Sequence, residues 1–174
     1  ISLCSGQLTL SGLLATPTLA ARPPPMIIAI HGTAAGPEVL FDGWQLDRSR
    51  EYETKDYHGK MGSVLAKAGF AVFAPQLITD MHYKPIVGFN ETRNAIDMRL
   101  TSLGFKLDGI ELTMVMHALT GLSTDSRVSF DRESIGAYGV SLGGEIVFYL
   151  AALDERIKAT VVSQYMEDRD EKLF

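Results

Sequence analysis

Residues 133–154 read ESIGAYGVSLGGEIVFYLAALD, and the fold turns on this stretch. Residues 135–140 are a short apolar run of the length of a buried strand. Residues 143–153 then carry Ile146, Val147, Leu150 and Leu153 on one helical stripe. Between the two lies Gly139-Val140-Ser141-Leu142-Gly143, a G-x-S-x-G sequence. Where a strand turns abruptly into a helix, such a serine sits on a strained corner with its hydroxyl exposed. Glycines on either side remove side chains that would collide there. The N-terminal N–H groups of the helix face the point where negative charge develops during acyl transfer. A lone G-x-S-x-G arises by chance in many chains, and the flanking strand and helix are what mark this one as a candidate nucleophile elbow.

Upstream, residues 26–30 form a continuous apolar run bounded by proline and His31-Gly32, which suits a parallel strand buried on both faces. The segment from His31 to Gly36 follows at the strand's C-terminal end, the edge where open α/β sheets bind ligands. Residues 59–67 read as a helix with Met61, Val64 and Leu65 on one face and Gly69 as its C-cap, and residues 70–75 as the next buried strand. Residues 94–122 are helical in pattern, with Gly104 and Gly109 marking breaks and with Ile110, Leu112, Val115, Met116 and Leu119 as apolar positions. One further strand is expected over 7–16, ahead of a loop stiffened by Pro23-Pro24-Pro25, and another over 158–163. Residues 38–56, with Trp44, and 77–92, with His82 and Tyr83, read as loops. Alternation of this kind predicts an α/β domain over residues 1–174, with a mostly parallel sheet, helices on both faces and right-handed crossovers.

Four blocks occur in order: MIIAIHGT at 26–33, HGKMGSVLAKAGFAVFAP at 58–75, DRESIGAYGVSLGG at 131–144 and DERIKATVVS at 154–163. With them the chain resembles the α/β-hydrolase superfamily, most closely its dienelactone-hydrolase and acetyl-xylan-esterase-like members, from near Leu8 onward. The resemblance implies an α/β-hydrolase fold whose C-terminal strands are absent from this chain. It implies a serine esterase with Ser141 as nucleophile, acting through an acyl-enzyme on a small carboxylic ester, an acetylated sugar among the options. The oxyanion hole would be made by the main-chain N–H groups of Leu142 and Thr33, with Ala34 as the other option for the second donor. His31 in the HG turn would shape the loop and not serve as the base. Two alternatives share the same core: a serine peptidase of the prolyl oligopeptidase type, and a non-catalytic binding or scaffold protein.

A serine hydroxyl needs a histidine to take its proton and a carboxylate to orient that histidine. In this superfamily the chain order is serine, acid, histidine. All four histidines here, His31, His58, His82 and His117, precede Ser141. Glu167 and Asp168 follow the last expected strand, where some members place the acid. That strand is apolar enough to need cover, and an open hydrophobic edge is an aggregation hazard. The expectation is therefore that a C-terminal segment or a partner chain completes both sheet and triad. Because the chain starts at Ile1, a preceding segment is expected as well.

With 174 residues, 46% of them hydrophobic, the chain can bury a core as one domain. Its net charge of −5 is spread without a basic stripe, which argues against nucleic acid as a partner. The longest apolar runs are too short to span a bilayer. One cysteine, Cys4, gives no disulfide framework or thiolate cluster, and it reads as a small buried or edge residue. No H-x-x-x-H, C-x-x-C or G-x-G-x-x-G occurs, so no metal or organic cofactor is implied. The compartment is not readable.

Overall fold

A computed structural model describes residues 2–3, 8–18, 21–33, 36–42, 58–78 and 89–166. Cys4, Ala34, Trp44, His82, Tyr83, Glu167 and Asp168 lie outside these. A two-residue ladder, β1 (Ser2–Leu3) with β2 (Leu8–Thr9), precedes a five-stranded sheet. That sheet contains β3 (Gly12–Ala15), β4 (Pro25–Ile30), β5 (Ala71–Pro75), β6 (Asp131–Val140) and β7 (Ile157–Ser163), in the spatial order β3-β5-β4-β6-β7. Every pairing is parallel except β3 with β5. The helices are a 3₁₀ turn (Pro37–Leu40), α1 (Met61–Lys67), α2 (Phe89–Thr101), α3 (Leu107–Thr124) and α4 (Leu142–Leu153).

The period-two alternation of strand side chains divides the core into two layers. Met26, Ile28 and Ile30 of β4, Ala71 and Phe73 of β5, and Ile135 and Ala137 of β6 face α3 and α4, whose Leu112, Val115, Leu119, Ile146, Val147 and Leu150 cover them. Ala29, Val72 and Ala74 face the other way, against Val39 and Leu40 of the 3₁₀ turn and Leu65 and Ala66 of α1. β4 is thus buried on both faces, as its unbroken apolar run requires.

Several sequence expectations shift. The strand expected over 7–16 is two short pieces, because Leu8–Thr9 pairs with β1 while Gly12–Ala15 joins β5. The loop expected over 77–92 gives way to α2 from Phe89 onward. Gly104, at φ +82, does reverse the chain between α2 and α3, whereas Gly109 lies inside the first turn of α3 and breaks nothing. On α1 the expected face holds only in part: Leu65 packs on the core, but Val64 is exposed, and the close contact is at Gly62. A Cβ there would stand 2.8 Å from the Leu40 carbonyl oxygen and 2.9 Å from the Phe41 ring, so the glycine lets α1 lie directly on the 3₁₀ turn. Leu153 ends α4 exposed, off the stripe that Ile146, Val147 and Leu150 bury.

Polar ties hold the later elements in register. Asp154, at the end of α4, accepts two bonds from the Arg156 guanidinium, at 2.8 and 2.6 Å. Arg156 also donates to the Met116 carbonyl and the Thr120 hydroxyl of α3. This joins the α4–β7 turn to α3 and fixes where β7 begins. The Arg156 bonds hold the Asp154 carboxyl below the usual carboxylate range.

Candidate active site

Ser141 stands alone between β6 and α4, at φ 53 and ψ −118. A non-glycine residue at such dihedrals costs about 1–3 kcal/mol and persists only where its surroundings over-determine it. Those surroundings are visible. The Ser141 N–H donates to the Ser163 carbonyl at the end of β7 at 2.8 Å, and the Ser141 carbonyl accepts from Glu145 N–H at 3.0 Å to close the first turn of α4. The hydroxyl makes no capping bond to the helix, and the residue is half-buried.

Three glycines make the corner possible by their lack of a side chain. A Cβ at Gly139 would overlap the backbone of Gly143, and one at Gly143 would overlap the carbonyls of Ile30 and His31. One at Gly144 would stand 2.9 Å from the Ser163 carbonyl oxygen and 3.0 Å from the Tyr165 Cβ. The N-terminus of α4 is therefore seated directly on the end of β4. This places Leu142, the first residue of α4, beside the His31-Gly32-Thr33 turn.

In that turn His31 is fully buried. Its Nδ1 lies 2.7 Å from the Gly32 carbonyl oxygen, an acceptor only, so Nδ1 carries the proton and donates. Nε2 is left buried without a partner among the described residues. Burial, only partly offset by the Gly32 bond, lowers the His31 pKa to about 4, and the ring is neutral at ordinary pH. The peptide plane fixes the consequence: the Gly32 C=O and the Thr33 N–H point in opposite directions. Because the carbonyl is drawn inward to His31, the Thr33 amide points away from the buried ring, and Thr33 itself is exposed.

The Gly32 N–H donates to Nε2 of His58 at 3.0 Å, 26 residues along the chain. His58 is buried just before α1. The Gly32 amide is thereby committed to His58. The structure thus brings Ser141, Leu142 and Thr33 to one sheet edge. His117 is exposed on α3.

A second polar support lies at the end of β5. Glu111 of α3 is buried and accepts from the Ile78 N–H at 2.9 Å, just past the strand. Arg93 of α2 donates to both Glu111 oxygens, at 2.9 and 3.0 Å, and to Asp108 at 2.8 Å. Burial raises the Glu111 pKa, and the Arg93 guanidinium opposes that rise. Neither the His58 tie nor this cluster was foreseen from sequence, since nothing in the spacing of these residues signals contact. Among the described residues no group of three His, Cys, Asp or Glu side chains could hold a metal ion, and no helix is long and apolar enough to cross a membrane.

A mostly parallel sheet with helices on both faces and a serine at a strained strand-to-helix corner define the α/β-hydrolase class. Residues 52–167 match the sequence profile of the dienelactone hydrolase family. The chain belongs to that family. No curated protein matches the chain by sequence. Among solved structures, a candidate acetyl xylan esterase from Bacteroides fragilis superposes with a TM-score of 0.68 at 21% identity, over 86% of this chain and 39% of that one. A glucuronoyl esterase from Solibacter usitatus gives 0.56 at 17% identity, over 88% and 42%. A candidate dienelactone hydrolase from Klebsiella pneumoniae gives 0.51 at 19%, over 89% and 60%. The chain spans less than two thirds of the length of each of these structures.

Proposed function

We propose that the protein acts as a serine hydrolase on carboxylic esters, with Ser141 as nucleophile. The observation that supports this reading is the corner itself, a strained Ser141 between β6 and α4 whose hydroxyl is not used to cap the helix. In this reading the Ser141 Oγ attacks the ester carbonyl carbon and its proton passes to a histidine. The oxyanion that forms accepts from the N–H groups of Leu142 and Thr33. Collapse of the adduct expels the alcohol, which takes the proton from the histidine, and water then releases the acid by the same route. Family membership and the esterases among the structural neighbours support an ester as substrate.

The base is sought outside this chain. Nδ1 of His31 and Nε2 of His58 are both bonded to Gly32, and the superfamily order places the histidine after the serine. We propose that a segment following Phe174, or a partner chain, supplies histidine and carboxylate while covering β7. That strand is the last of the sheet among the described residues, with Ala159 and Val161 exposed.

The test is the full-length protein treated with a fluorophosphonate and weighed intact. One adduct is expected on the wild type and none on Ser141→Ala, whose hydrolysis of p-nitrophenyl acetate drops by about 10³-fold or more. Hydrolysis by Ser141→Ala near the wild-type rate would falsify the reading. A full-length protein that takes no adduct and has no esterase activity would point instead to a binding role on the same fold.

A further inference from the structure

We infer that His58 is a positioning residue for the oxyanion turn: by accepting the Gly32 N–H at Nε2 it seats the HG turn against the elbow helix. The inference rests on the ester-hydrolase reading above.

The argument runs through two consecutive peptide planes. In the plane joining residues 31 and 32, the N–H of Gly32 and the C=O of His31 point oppositely. The N–H is drawn to His58 Nε2, at 3.0 Å. The His31 carbonyl oxygen is therefore directed the other way, and it lies against Gly143, 2.6 Å from where a Cβ would stand. His58 thus presses the turn onto the first turn of α4. In the next plane, His31 draws the Gly32 carbonyl inward and sends the Thr33 N–H outward. One imidazole aims the proposed donor. The other sets its separation from the second donor, on Leu142.

The chemistry of the contact is restrictive. Nε2 can accept from an amide only when unprotonated, so the ring must be the neutral tautomer with its proton on Nδ1. Because His58 sits just ahead of α1 and Gly32 just past β4, the bond also couples the start of α1 to the active-site edge of the sheet. In this role His58 acts through Gly32 and not on the reacting atoms.

The test uses the full-length protein with p-nitrophenyl acetate and three variants, with the melting temperature of each recorded. His58→Leu keeps bulk and removes the acceptor. His58→Gln carries an amide oxygen at about the reach of Nε2, and His58→Asn one only at that of Nδ1. The expected result is a kcat about 10²-fold lower in His58→Leu and His58→Asn, the scale of a misplaced catalytic group, with KM within about twofold of wild type. His58→Gln should recover kcat to within about fivefold of wild type, since it restores the acceptor. Should His58→Leu fail to fold, the contrast between Gln and Asn carries the test. Equal kcat in those two variants, or a wild-type kcat in folded His58→Leu, would overturn the role of His58 while leaving Ser141-dependent hydrolysis standing. Retained hydrolysis in Ser141→Ala would remove the ester-hydrolase reading and this inference with it.

Discussion

The two sides of the candidate active site are held by different physics. The elbow side, from β6 into α4, is set by exclusion: Gly139, Gly143 and Gly144 let backbone meet backbone where any side chain would collide. The opposite side, at the ends of β4 and β5, is set by attraction. Single backbone N–H groups, those of Gly32 and Ile78, are each captured by a buried side chain from a distant element, His58 and Glu111. Steric fit tolerates no substitution but is indifferent to pH. Hydrogen bonds to titratable groups tolerate some substitution but depend on protonation state.

The contrast can be broken most severely at Arg93. Replacing it with Met leaves Glu111, whose side chain is fully buried, without its guanidinium partner. Removing one member of a buried pair costs about 3–5 kcal/mol. Urea unfolding of Arg93→Met should register that loss, whereas Glu111→Gln, which keeps an acceptor for Ile78, should lose clearly less. Equal losses would mean that the charge pair adds nothing to the strand-end bond. On the elbow side Gly143→Ala is expected to cost about 3 kcal/mol, the upper range for overpacking, because its methyl meets the Ile30 carbonyl at the end of β4 and the His31 carbonyl of the turn. A variant as stable as wild type would show that α4 can lift off β4 freely, and the steric account of the elbow would be wrong.

The smallest effect sharpens the pH side of the comparison. His31 is held near pKa 4 in the fold, against 6.5 for the free side chain. Between those values the unfolded chain binds the proton and the native one does not, so stability falls as pH drops from 6.5 toward 4. For this residue the loss between pH 7.5 and 5.5 is about 1 kcal/mol. His31→Asn retains an N–H donor for the Gly32 carbonyl but does not titrate. Its stability should be lower throughout and flatter with pH than wild type, and parallel pH profiles for the two proteins would refute the assignment.

The same division explains what could be read from sequence. The elbow was legible because steric demands are written locally: a glycine two residues before a serine and another two residues after it, inside a strand and a helix that each show their own period. β4 and β5 were legible because burial on both faces leaves an unbroken apolar run. Attraction at a distance leaves no such mark. His58 and Gly32 are 26 residues apart, Ile78 and Glu111 are 33 apart, and no periodicity links them. The start of α2 was missed for a related reason. That helix is held partly by polar contacts, Arg93 to Glu111 and Asp108, and Asp97 to the Leu107 N–H and to Lys106. Met98 on it is exposed, so the apolar stripe that would announce a helix is weak. Gly62 misled in the other direction, since the residue with no side chain marks the buried face of α1 and the larger Val64 faces water.

The bond from Ser141 N–H to the Ser163 carbonyl also has a meaning in time. The G-x-S-x-G sequence is complete once Gly143 has been synthesised, yet the strand that holds the serine's amide ends twenty residues later, at Ser163. A nascent chain that stops at Leu153 contains the whole motif and helix but lacks the acceptor that fixes the corner. The corner at Ser141 therefore depends on a strand that is synthesised only after the motif itself is complete.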